Sequence, residues 1–257
     1  MKPAGYSAQQ QSKLMSELSR RVRRAVRHFW STRQEQASRQ GRAGGNRDAG
    51  ARTAVTGGRQ LDGFVALCRD LLVESGLPEA DVLWKSRLDL PGYFRAEKRW
   101  DLLAVVDGHL LAVIELKSQV GPSFGNNYNN RTEEALGSAT DLWTAYREGA
   151  FQPSQRPWLG YVFLLEECPK SLAPVQPRQS HFDVFPEFQE ASYAQRYEIL
   201  MLKLLRERLY DGASLLLSTQ KGGLQGKYRE PSEELEFARF AASLTAHATT
   251  FATMRKK

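Results

Sequence analysis

Cysteine and histidine are scarce in this 257-residue chain, and the few present are poorly placed for chemistry. Cys68 and Cys168 lie far apart with no CxxC partner, which excludes a zinc ribbon and a disulfide framework. His28, His109, His181 and His247 are scattered, none at metal-ligand spacing or within a Ser-His-Asp or His-Cys pattern. Gly222, Gly223 and Gly226 stand beside Lys221 and Lys227 but lack the GK[ST] ending of a phosphate-cradling loop. There is no internal repeat, no apolar stretch long enough for a membrane span, and no signal-peptide core behind the basic N-terminus. A cytoplasmic protein without a membrane partner is expected.

Acidic residues are also scarce at one end. Through Gln60, 13 Lys or Arg face three acids (Glu17, Glu35, Asp48), while the remainder is slightly acidic within an overall charge of +7. The densest cations, Arg20, Arg21, Arg23, Arg24 and Arg27, overlie Leu14, Leu18, Val22, Val26 and Phe29 at helical spacing. An amphipathic helix with an arginine face suits phosphate contacts, although a solvated, membrane-surface or partner-binding helix would read the same way. Residues 38–60, rich in Gly, Ala and Arg, read as a linker. Residues 1–60 are therefore taken as a basic helix and DNA-contacting arm, and residues 61–257 as the globular domain, long enough for one well-buried core.

One constellation carries a mechanism. Leu102–Val106 and Leu110–Ile114 are apolar runs around the turn signal Asp107-Gly108, with Asp101 before the first and Glu115 and Lys117 after the second. Carboxylates hold a hard cation such as Mg²⁺ through oxygen, and a lysine can orient and activate water, as phosphodiester hydrolysis requires. A plain two-residue turn would set Asp101 opposite Ile114 and send Glu115 and Lys117 to the other face. A three-residue turn, or a bulge elsewhere in the pair, would put all three on one face. The chemistry therefore predicts an irregular hairpin. Charged residues also bracket buried strands with no catalytic meaning, so the pattern needs context.

Around the hairpin, helices are expected from about Leu61 to Ser75, Arg131 to Glu148, Ser192 to Tyr210 and Ser232 to Thr250. Strands are expected over Val82–Leu88, Trp158–Glu166 and Ala213–Ser218. Such interleaving implies an α/β fold with the sheet sandwiched by helices. Glu74, near the end of the first of these helices, is either a further metal carboxylate or, on the stronger reading, an exposed helix-end residue. The stretch Ser118–Arg131 reads as a loop whose Gln119, Asn126, Asn127, Asn129 and Arg131 could contact base edges, with Lys221, Gln225, Lys227 and Arg229 as a second set. Asparagines also simply make turns and caps.

The segment GYFRAEKRWDLLAVVDGHLLAVIELKSQVGPSFGNNYNNRTEEALGSATDLWTAYREGAF, Gly92 to Phe151, strongly resembles the XhoI family of type II restriction endonucleases, with weaker likeness from about Gly58 onward. The resemblance implies a PD-(D/E)xK nuclease, with a restriction-endonuclease-like mixed sheet flanked by helices and Asp101, Glu115 and Lys117 at the catalytic positions. Trp100 stands where the motif has proline. It further implies Mg²⁺-dependent cutting of double-stranded DNA at CTCGAG after the first C, a homodimer matched to the palindrome, and a cognate methyltransferase that masks the same sequence. Asp101, Glu115 and the Leu116 carbonyl would hold the metal. The rival readings are a structure-selective nuclease on the same core and a non-catalytic nucleic-acid-binding protein.

Overall fold

Nine consecutive residues, Trp158–Glu166, form the strand on which the architecture turns, and eight of them are buried. A strand with both faces covered must lie inside a sheet with layers on either side. The computed structural model, which describes residues 8–42 and 58–255, places it so. We number the strands β1 (Val82–Leu83), β2 (Asp89–Pro91), β3 (Glu97–Arg99), β4 (Leu102–Val106), β5 (His109–Gln119), β6 (Trp158–Glu166) and β7 (Gly212–Ser218). The main sheet has the order β1-β4-β5-β6-β7, antiparallel from β1 to β5 and parallel from β5 to β7, while β2 and β3 pair separately. The expectation of a mixed α/β sheet between helices therefore holds, although the first strand is only the two-residue β1.

The long helices are α1 (Ala8–Arg42), α2 (Asp62–Glu74), α3 (Phe124–Arg147), α4 (Tyr193–Arg206) and α5 (Phe237–Arg255). On one face of the sheet, α1, α2 and α5 bury Phe29, Trp30, Phe64, Leu72, Phe237 and Phe240 in a common core with Ala104, Ile114 and Leu116. On the other, α3 and α4 close over Leu103, Val113, Phe163 and Leu215 with Leu142, Tyr197 and Met201. The division drawn at Leu61 does not coincide with a break in packing. Val22, Ala25, Val26, Phe29 and Trp30 of α1 are buried with the rest of the core, so the basic helix is a structural member of the fold rather than a separate arm. Most of the glycine- and arginine-rich linker lies outside the described residues.

The β4–β5 hairpin resolves the parity question. Val106 pairs with His109 across a two-residue turn in which Asp107 (φ +50°) and Gly108 (φ +79°) both take positive φ, as a mirror-image hairpin turn demands. The three-residue turn is thus not used. The compensating irregularity lies further along: Val105 pairs with Leu110 but Ala104 with Ala112, leaving Leu111 as an extra residue. Leu111 and Ala112 consequently enter the same core, while Leu110 enters the other. Beyond the bulge Leu102 pairs with Ile114, and continuing that register sets Asp101 opposite Glu115.

Helix α3 begins at Phe124, seven residues before the expected Arg131, so most of the asparagine-rich stretch is helical. Asparagine is a weak helix former, but packing overrides propensity here. Phe124 stacks on Tyr193 at 6.0 Å, and Tyr128 meets Tyr197 edge-on at 5.1 Å, clamping the first turns of α3 to α4. Ser192 caps α4 in a reciprocal pattern with Gln195.

Candidate active site

Glu115 leaves β5 towards the α3 side and is 4% exposed, an environment that no carboxylate occupies without partners. It has two. Lys98 Nζ lies 2.8 Å from Oε2, and Lys117, two residues along the same face of β5, pairs with Oε1. Asp101, at the foot of β4, accepts the Leu116 amide through Oδ2 at 2.7 Å. The bulge at Leu111 therefore achieves what the chemistry required: Asp101, Glu115 and Lys117 share one face.

Burial and the neighbouring Glu115 carboxylate push the Asp101 carboxyl up to about 6, against the pull of Lys117 and the Leu116 amide. Glu115 and an Asp101 carboxyl whose charge its surroundings disfavour form a donor set that a hard cation relieves, and the Leu116 carbonyl directly follows Glu115 in the chain. The residues present thus fit a divalent metal. Burial pulls the Lys117 ammonium down, but Glu115 and Asp101 together outweigh it and leave its pKa above the ordinary value. Among the described residues, no cluster of three or more His, Cys, Asp or Glu side chains forms a ready-made metal site.

Glu74 is not brought to this centre. Its carboxylate pairs with Arg21 at 2.8 Å, at the far end of α2 on the opposite side of the sheet, so the exposed helix-end reading is the correct one. The other end of α2 approaches instead: Asp62 and Gln60 line a cleft of about 570 Å³ with Arg33, Asp101, Lys117 and Asn127. A second cleft opens on the other side of Glu115, towards Phe94, Arg95 and Lys98. Glu115, Lys117, Arg99 and Arg131 border both.

Of the residues expected to contact bases, Arg131 and Asn127 do face the centre from α3. Asn126 is exposed on the helix, and Asn129 donates to Glu133 at 2.8 Å. Gln119 must be corrected. It is 3% exposed, its amide oxygen accepts from Tyr197 and its nitrogen donates to the Ser123 carbonyl at 3.4 Å, so it holds α3 and α4 to the sheet rather than reading DNA. Arg20, Arg23, Arg24 and Arg27 are exposed on α1, with no ion pair to a carboxylate among the described residues. Arg27 reaches the Gln225 carbonyl at 3.4 Å, which brings this face beside the exposed Lys221 and Lys227. Arg229 instead pairs with Glu167. The sequence reading missed Lys98, Arg33 and Asp62. For Lys98 a signal existed: it shares strand alternation with Trp100, whose ring it covers at 3.9 Å.

The family model for the restriction endonuclease XhoI matches residues 39–230. The chain belongs to the XhoI family of type II restriction endonucleases. Among similar proteins, the type II restriction enzyme BstVI of Geobacillus stearothermophilus is 52% identical over 81% of this chain and 95% of its own length. The type II restriction enzyme XhoI of Xanthomonas vasicola is 45% identical over 74% of this chain and 77% of its own. AbrI of Azospirillum brasilense, also a type II restriction enzyme, is 46% identical over 68% of this chain and 75% of its own. No solved structure matches the chain. Membership covers the hairpin, α2 to α4 and the Lys221–Lys227 turn, while most of α1 and all of α5 lie outside the matched span. No helix among the described residues is long and apolar enough to cross a membrane.

Proposed function

We propose that this protein cuts both strands of DNA at CTCGAG after the first C, in the cytoplasm, as a homodimer that requires Mg²⁺ and works beside a methyltransferase masking the same sequence. The observation that carries the chemistry is the bulged register that gathers Asp101, Glu115 and Lys117 on one face. Family membership and the likeness of Gly92–Phe151 support the choice of site and the two-fold assembly.

In this reading Asp101, Glu115 and the Leu116 carbonyl hold Mg²⁺, which when bound supplies Lewis-acid polarisation of the phosphate and acidifies water. Lys117 orients the attacking water through Nζ for in-line displacement, leaving a 5′-phosphate and a 3′-hydroxyl. Arg131, at the border of both clefts, faces the phosphate. Arg20, Arg23, Arg24 and Arg27 with Lys221 and Lys227 contact the backbone at a distance and give affinity without sequence information.

The test is to incubate the protein with unmethylated plasmid of known sequence, with Mg²⁺ or EDTA, and map fragment ends. Ends only within CTCGAG and only with Mg²⁺ are expected. An intact plasmid that carries the site, with folded protein, would refute the reading. Cuts placed by branched structure would favour a structure-selective nuclease.

A further inference from the structure

Between β2 and β3 a tight turn raises Tyr93 and Phe94 into solvent, 54% and 70% exposed, with their rings edge to face at 5.0 Å. Two adjacent exposed aromatics on so short a hairpin are costly to leave in water, and the fold invests in holding them there. Asp141 of α3, 4% exposed, accepts the Tyr93 and Phe94 amides through one oxygen at 2.7 and 2.8 Å and the Arg95 guanidinium through the other at 2.7 Å. Gly92 is required by this clamp, since a Cβ there would sit 2.5 Å from the Asp141 carboxylate and 2.7 Å from the Arg95 carbonyl. A buried acid thus fixes the turn while the rings themselves support no core.

The turn is tied to the candidate centre. Phe94 and Arg95 border the same cleft as Lys98, Glu115 and Lys117. Lys98, on the strand leaving the turn, is the residue that grips Glu115. Four residues of extended chain reach at most about 13 Å, comparable with the depth of a DNA groove plus its backbone. Arg95, Lys98, Arg99 and Arg131 line this cleft with Phe94, each paired with a carboxylate (Asp141, Glu115, Asp89 and Glu134 respectively) that a phosphate would have to share.

Resting on the nuclease reading, we propose that Tyr93 and Phe94 form an aromatic wedge that packs against the bases beside the cut. Rigid apolar side chains inserted at a base step unstack it and let the protein hold a deformed duplex. The wedge would add discrimination through the deformability of the site rather than through hydrogen bonds to base edges.

The experiment compares wild type with the double variant Tyr93→Ser, Phe94→Ser on a duplex containing CTCGAG, with 2-aminopurine beside the cut and Ca²⁺ in place of Mg²⁺. Binding by the variant is expected to weaken about ten- to a hundredfold, the range of losing base stacking on aromatics. The 2-aminopurine fluorescence rise seen with wild type should vanish, melting temperature should not change, and Phe94→Trp should keep both signals. Cleavage by wild type with Mg²⁺ is read first: its absence overturns the nuclease reading and the wedge with it. Cleavage by wild type with unchanged binding and fluorescence in the double variant overturns the wedge alone. So would a variant that sediments as a smaller species, because the rings would then join two copies of the chain.

Discussion

Lys98 Nζ stands 2.8 Å from Oε2 of Glu115, on the opposite oxygen from Lys117. A half-buried ammonium at that distance opposes any second cation approaching the same carboxylate. Lys98→Met should therefore lower the Mg²⁺ concentration for half-maximal cleavage by about threefold or more. Titration of cleavage against Mg²⁺ checks this. A shift to higher concentration would mean that Lys98 aligns Glu115 for the metal rather than competing with it.

Asp101 and Glu115 are proposed as metal ligands, not DNA contacts. Asp101→Ala and Glu115→Ala should each reduce cleavage by about three orders of magnitude or more while specific binding persists. Gel-shift with Ca²⁺ beside a cleavage assay with Mg²⁺ separates the two. Binding lost together with cutting would mark a structural acid.

Asp141 offers a test independent of activity. Burial favours its protonated form, but the Phe94 amide, the Arg95 guanidinium and the Tyr93 amide together outweigh that and hold its pKa below the ordinary value. A depressed carboxylate stabilises the fold above its unfolded pKa, near 4, and that contribution is lost as pH falls through the folded value. Asp141→Asn should thus melt lower than wild type at neutral pH and converge with it in acid. Asp141→Ala should cost about 2 to 4 kcal/mol at neutral pH, measured by urea unfolding.

The two thiols report on α2. Burial pushes the Cys68 thiol up to about 12, whereas Cys168 is only half-buried at the end of a strand. At pH 8 a thiol-specific reagent should modify one cysteine in the native protein and the second only after unfolding. Rapid modification of both would dislodge α2 from the core.

Arg23 and Arg27 should act through phosphates alone. Replacing both with Gln should weaken binding equally on specific and non-specific duplexes and reduce the salt slope by about one unit per arginine, read by anisotropy across a salt series. A loss confined to CTCGAG would make them readers of sequence.

The hairpin was legible because its parity is arithmetic: charges on one face require an odd irregularity, and Leu111 supplies it inside β5 rather than in the loop. Sequence could not choose between the two, since both satisfy the same alternation. The start of α3 was hidden because Asn126, Asn127, Asn129 and Asn130 favour turns locally, while the Tyr128–Tyr197 contact that overrides them spans almost 70 residues. Gln119 looked like a reader of bases for the same reason: its partner, Tyr197, is remote in sequence. Lys98 and Asp62 are ordinary charged residues until the sheet gathers them. In α1 the apolar spacing was visible, but not that Trp30 would be enclosed 188 residues away by Ser218.

That enclosure has a consequence for how DNA is met. Trp30 donates to the Ser218 hydroxyl at 3.0 Å, and its indole lies so close to Gly223 that a Cβ there would fall 1.8 Å from the ring. The same hydroxyl donates to the Lys227 carbonyl at 2.7 Å. The arginines of α1 and the lysines of the turn after β7 are therefore parts of one cradle, anchored at the carboxyl end of the edge strand β7. On the proposed reading, phosphates bound by one set would find the other already in place, so little ordering entropy would be lost on engagement. Any bending needed to engage both sets would then fall to the duplex.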